Sequence, residues 1–219
     1  AASGVRIAAV TLPPMAASKV RAAAAFAVED QLAGAPGTQH LAASPQHTDG
    51  SVRIVIVERD QLAAIVALPS VVPRLPAWCR IVAEPDLVPF DGDWHWCVAP
   101  GPDGDAFVRL DDGSAMAVPA PDAGGLPVEI ARLVDRHVPA PSAIAVHAAI
   151  DASTLAAWSA ATGIRFHARP AWQWTECSAT VLDAATDLRQ GDFVAATAPP
   201  PGQGQRLWRT AFAIAAVAL

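Results

Sequence analysis

Two short stretches carry the residue types that hold a nucleotide: Pro102-Asp103-Gly104-Asp105 and Asp111-Asp112-Gly113-Ser114. In such a hairpin an Asp can position a divalent metal while the backbone N–H groups beside the Gly face a phosphate. Asp-Gly is equally a favoured tight-turn dipeptide, and neither stretch has the Gly-Thr or Lys neighbours that would strengthen the phosphate reading. Asp103, Gly104, Asp112 and Gly113 therefore stand as an alternative cofactor site beside the expectation that no cofactor is bound. His95 and Cys97 are two apart on an expected strand and share one side of it, but spacing supplies no third metal ligand, so half-exposed structural residues are expected. His147 and His167 also fall on expected strands, as satisfied core histidines. Glu29 and Asp30 are neighbours on an expected helix, about 100° apart, which is too far for a carboxylate dyad. Dinucleotide, phosphate-loop, zinc-protease, serine-hydrolase and calcium-loop patterns are all absent, and no catalytic residue is expected.

The elements that must carry these residues follow from periodicity. Val5 to Leu12 reads as a strand stopped by Pro13 and Pro14. A helix follows, with Ser18 as cap, Val20, Ala24, Val28 and Leu32 every fourth residue, and Gly34 as its close. Phe26 lies off that stripe, so the helix is apolar on more than one side and is expected to meet either a second layer or a partner, with Phe26, Glu29 and Asp30 as the candidate partner surface. His40 to Ala43 and Val52 to Val57 form a hairpin, Asp60 caps a short helix ended by Pro69, and Cys79 to Ala83 reads as another strand.

Pro, Asp and Gly cluster between Glu84 and Gly92, which places a boundary there. Beyond it Trp94 to Ala99, Ala106 to Leu110 and Ser114 to Val118 make a three-strand meander. A helix from Pro127, a strand at Ala143 to His147, a helix capped by Asp151 or Ser153 and closed by Gly163, and a strand at Ile164 to Ala168 complete the order. The expected organisation is a first half at residues 1–88, incomplete at its N-terminus, a second half at 89–197, and a linker with the start of a membrane helix at 198–219. A meander followed by αβ units builds a mixed α/β sheet; two related halves of this kind resemble the ribonuclease H-like and actin-like superfamily.

The 219 residues are enough for one large or two small domains. With 53% hydrophobic and only 16% charged residues, a largely disordered chain is excluded. Fourteen of the fifteen basic residues are Arg, and much of the apolar excess is Ala, so Val, Ile, Leu, Phe and Trp spacing carries more weight than Ala runs. A formal charge of −6 argues against a nucleic-acid partner, which needs a cationic face. Three widely spaced cysteines suggest a reducing compartment. No signal segment opens the chain and residue 1 is not Met, so it reads as part of a longer protein.

From Ala198 to Gly204 the composition is that of a linker, followed by Arg206-Leu207-Trp208-Arg209, Thr210 and nine apolar residues. Nine residues fall short of the roughly 20 that span a bilayer, so the run is either a docked terminal helix or the opening of a transmembrane helix. Arginines around an interfacial Trp favour the second and make Arg206, Trp208 and Arg209 candidate membrane-anchor residues, with the preceding chain on the cytoplasmic side.

Four stretches together resemble the cytoplasmic part of the type II secretion system protein L family: Val10 to Pro13, Ala25-Phe26-Ala27-Val28-Glu29-Asp30-Gln31-Leu32, Asp86 to Phe90, and Asp187-Leu188-Arg189-Gln190-Gly191-Asp192-Phe193. The resemblance implies an actin-like fold without ATPase activity, in a single-pass inner-membrane adaptor that holds the cytoplasmic secretion ATPase, the E component, and pairs with the M component. A homodimer is a further expectation. Arg189, where the family tends to Leu, and the neutral Gly34-Ala35-Pro36-Gly37 loop depart from the pattern. The rival readings are an actin-like ATPase or sugar kinase using Mg-ATP at the Asp-Gly hairpins, and the related adaptor of type IV pilus assembly.

Overall fold

In a computed structural model, residues 4–32, 37–67, 80–99, 105–122 and 125–194 are described, without the Gln31 side chain. Eight strands lie in one mixed sheet ordered β2-β3-β1-β6-β5-β4-β7-β8. Its first group is β1 (Val5–Thr11), β2 (Gln39–Ala43) and β3 (Ser51–Glu58), all antiparallel neighbours. The second is the meander β4 (Trp94–Val98), β5 (Ala106–Arg109) and β6 (Ala115–Val118), to which β7 (Ala143–His147) and β8 (Arg165–Ala168) add in parallel. The mixed character thus belongs to the second group. The groups join where β1 meets β6, with the single register pair Ile7 and Ala115.

Apolar residues run unbroken from Ile54 to Val57 because both faces of β3 are covered there: Ile54 and Ile56 pack toward α1 (Ala17–Ala27), and Val55 and Val57 toward α2 (Arg59–Ala67). In the second group Trp94, Trp96, Ile144, Val146 and Phe166 face a core closed by α3 (Val128–Arg136) and α4 (Ala152–Thr162). Full burial of each such side chain contributes about 1.5–3 kcal/mol. Both tryptophans satisfy their indole N–H, Trp94 on the Asp111 carboxylate and Trp96 on the Pro119 carbonyl. Helix α4 is capped as its sequence says, by Asp151 accepting from the Thr154 N–H, and ends at Gly163 in the left-handed region, φ 73°.

Helix α1 departs from expectation at both ends. Its flanking residue is Ala16, with no side-chain cap, and Ser18 lies inside the first turn. The helix stops at Ala27, and Glu29 to Gln31 form a separate 3-10 turn. Two carboxylates at the C-terminus of α1 would oppose its dipole, whereas in the first turn of a new helical segment they are favoured. Gly34, the expected close, lies outside the described residues, as does Pro69.

The strand expected at Cys79 to Ala83 is not formed by residues 80–83, and Cys79 is outside the described residues. Ile81 instead pairs with a later segment, its N–H on the Asp187 carboxylate and its carbonyl accepting the Leu188 N–H. Helix α5 (Ala179–Ala184), with Ser178 as cap, is too short for its apolar spacing to repeat, so periodicity does not signal it.

Candidate functional site

One face of the sheet carries a polar layer that spacing does not reveal. At its centre is Asp86, fully buried, in the 3-10 turn Glu84–Leu87. Its carboxylate lies 3.2 Å from Arg53 of β3 and 3.2 Å from Arg109 of β5, and accepts the Thr186 N–H at 2.6 Å. Arg109 donates also to the Pro85 carbonyl at 2.7 Å. Burial pushes the Arg109 guanidinium down from its ordinary value, opposed by the charge of Asp86. One carboxylate thereby ties both strand groups to the segment at residues 184–193.

That segment runs as a strap over the first group. Arg53 donates to the Ala184 carbonyl, and Arg80 to the carbonyls of Leu182 and Ala185. Leu188 is buried among Val55, Leu62 and Ile81, and its carbonyl accepts from His40 Nε2 at 2.9 Å. Burial lowers His40 from its ordinary value. The Gln190 amide imitates a neighbouring strand: its Oε1 accepts the Ala43 N–H and its Nε2 donates to the Ala43 carbonyl. With Arg21 on the Leu41 carbonyl, this covers part of the open edge of β2. Phe193 meets His40 edge-on and lies under Arg59, which also pairs with Asp192.

Farther along the same sheet face His95 joins Asp91 at 2.8 Å through Nε2 and His147 at 2.9 Å through Nδ1. His147 Nδ1 reaches the Pro170 carbonyl at 3.0 Å. Cys97, on the same side of β4, is buried with Leu87, Phe107 and Trp172, and burial pushes its thiol well up. His95 and Cys97 are thus both buried rather than half-exposed, because the residues before β4 and after β8 cover this side of the strand. No group of three metal-binding side chains is found among the described residues. His95 bonds two residues whose identity spacing could not supply, because its partners come from the loop before β4 and from β7.

The remaining expected residues are placed as follows. Phe26 projects from the outer face of α1 with 79% of its surface exposed, and Glu29 and Asp30 are exposed beside it. Lys19 and Ala22, exposed on the same helix, leave it uncovered. Asp112 and Gly113 form the β5–β6 turn: Asp112 accepts the Ser114 N–H at 2.7 Å, and the Gly113 N–H goes to the Leu110 carbonyl. Those donors are spent on the turn itself. Gly113 needs its φ of 83°, and a Cβ there would stand 3.3 Å from Arg53 Cδ. Asp103, Gly104, Arg206, Trp208 and Arg209 lie outside the described residues. Among the described residues no helix is long and apolar enough to cross a membrane.

The family model of the type II secretion system (T2SS), protein L, matches residues 1–196. The chain belongs to the protein L family. A type II secretion system protein L of Pseudomonas aeruginosa is 37% identical over 112 residues, which is 48% of this chain and 28% of that relative, so the match spans little more than a quarter of the relative's length. Among solved structures, the cytoplasmic domain of EpsL, an inner membrane component of the type II secretion system of Vibrio cholerae, is similar with a TM-score of 0.56 at 16% identity. The match covers 88% of this chain and 76% of that one. That likeness is one of fold, and the EpsL domain is actin-like. In this protein L chain, two of the four stretches that carry the family resemblance, Asp86 to Phe90 and Asp187 to Phe193, are brought together around the strap by the Asp86 bond to Thr186.

Proposed function

We propose that this protein L chain is the cytoplasmic body of a non-enzymatic inner-membrane adaptor that recruits the cytoplasmic secretion ATPase and holds it at the membrane. Its docking surface is the outer face of α1, where Phe26 offers an apolar anchor and Glu29 and Asp30 flank it with negative charge. The partner segment therefore presents an apolar groove or helix face with basic residues at its rim. The observation that supports this reading is Phe26 itself: a large aromatic exposed on a helix whose other face is fully engaged with the sheet.

Residues 1–88 and 89–197 form the two halves of the body in this reading; the one-pair join between β1 and β6 supports that division. Arg206, Trp208 and Arg209 begin the membrane anchor, through which the M component is engaged beyond the cytoplasmic side. Titrating the secretion ATPase of the same genome against the chain tests the proposal. Binding at micromolar concentration that weakens at least tenfold in Phe26→Glu is expected. No binding sinks the adaptor role, and unchanged binding by the variant sinks the α1 surface.

A further inference from the structure

Asp91, His95, His147 and the Pro170 carbonyl make a linear chain of three hydrogen bonds. Each bond needs one proton, so the chain is satisfied only when it holds three. The carbonyl can only accept, which fixes a proton on His147 Nδ1. The other two must lie between His147 Nε2 and His95 Nδ1, and between His95 Nε2 and Asp91. An ionised Asp with two neutral histidines supplies only two protons, leaving one pair of lone pairs face to face. Two cationic histidines supply four and set N–H against N–H at 2.9 Å.

We infer that this chain is a proton-counting clamp, which pins the Phe90–Asp93 loop and the residues following β8 onto β4 and β7 while it holds three protons and loosens when one is added or removed. The placement of the third proton follows from the surroundings. Burial would raise the Asp91 carboxyl, but the His95 bond, the Asp93 N–H and the charge of Arg169 bring it below its ordinary value, so Asp91 is a carboxylate. Burial lowers His147, partly opposed by the Pro170 carbonyl, so His147 is neutral. Both nitrogens of His95 then donate, one to Asp91 and one to His147.

Other charged groups face this chain from every neighbouring element. Arg109 sits directly across from His95 on β5 and is neutralised by Asp86. Asp93 lies 3.8 Å from His167 on β8, and Arg169 lies 3.9 Å from Asp91. Trp172 meets His147 edge-on and gives its indole N–H to Glu84. None of these supplies a substitute acceptor for a fourth proton on His147. The acid limit of the clamp is therefore set by His147 and its alkaline limit by the loss of the third proton.

Nitrogen NMR of the imidazoles in the 219-residue chain tests the proton count directly. Near neutral pH, doubly protonated His95 beside a His147 protonated only at Nδ1 is expected. Two neutral rings there would overturn the inference. Hydrogen exchange of residues 90–93 and 169–172, corrected for intrinsic rates and followed from about pH 5 to about pH 9, should show protection that peaks and falls about fivefold to tenfold on both sides, the worth of one hydrogen bond. In His147→Phe the part of the acid limb owed to His147 should be lost at residues 90–92, whereas residues 169–172 keep the titration of Glu84, whose raised carboxyl holds Trp172. Flat protection across the range, or an acid limb at residues 90–92 unchanged in His147→Phe, refutes the clamp.

Discussion

Asp86→Asn removes one charge and almost no volume, and it should be among the most damaging substitutions in the protein. The carboxylate is wholly buried, Arg109 keeps only 4% side-chain exposure and Arg53 17%. Without the negative charge the Arg109 guanidinium retains the Pro85 carbonyl but no counterion, and Arg53 can turn only partly toward water. Breaking one side of a buried pair typically costs about 3–5 kcal/mol. For a chain of this length each kcal/mol lowers Tm by about 2–4 °C, so a fall of roughly 6–20 °C is expected. Thermal and denaturant unfolding measure it, and exchange of the strap amides near Thr186 should rise before global unfolding. Asp86→Leu with Arg109→Met together should recover only the part of the loss owed to Arg109, because Arg53 and the Thr186 N–H still lack the carboxylate. A loss below about 1 kcal/mol, or single effects that add within about 0.5 kcal/mol in the double variant, would refute the reasoning.

Gln190→Ala should cost about 1 kcal/mol by freeing the Ala43 N–H and carbonyl, and sedimentation should show more self-association as the β2 edge opens. Burial raises the Glu84 carboxyl although it accepts from Trp172. The folded state therefore holds that proton more tightly, and its contribution is full below the ordinary Glu value near 4.5 and lost as pH rises through the raised one. Glu84→Gln should accordingly match the parent in acid and be at least as stable at about pH 7 by denaturant titration; a less stable variant at neutral pH contradicts that sign. Gly163→Ala should lose about 1 kcal/mol in thermal unfolding from its positive φ alone, since nothing stands within 4 Å of the added Cβ. Phe26→Ala should leave Tm within about 1 °C, its side chain being mostly exposed, while weakening the secretion ATPase in a binding titration.

Local rules make the second group of strands legible. Its meander turns at Asp112-Gly113, α4 begins at Asp151 and ends at Gly163, and β7 and β8 fall within a residue of their expected bounds. Each depends on neighbours in the chain. The end of α1 is hidden from spacing because Val28 and Leu32 continue the apolar repeat, while the charges that stop the helix lie between them. Residues 80–83 have the apolar run of a strand, but Ile81 spends its backbone N–H on the strap, 106 residues away at Asp187.

By itself the sequence determined most of the element types, the place of Phe26 off the apolar stripe of its helix, and the family, because periodicity, caps, turn dipeptides and motif order act over a few residues at a time. The tertiary structure alone decided that Asp86, Arg53, Arg109 and Thr186 share one buried centre and that His95 meets Asp91 and His147. The bond from Thr186 to Asp86 joins residues 100 positions apart, and nothing in a side chain's own neighbourhood along the chain specifies which distant charge will be desolvated with it.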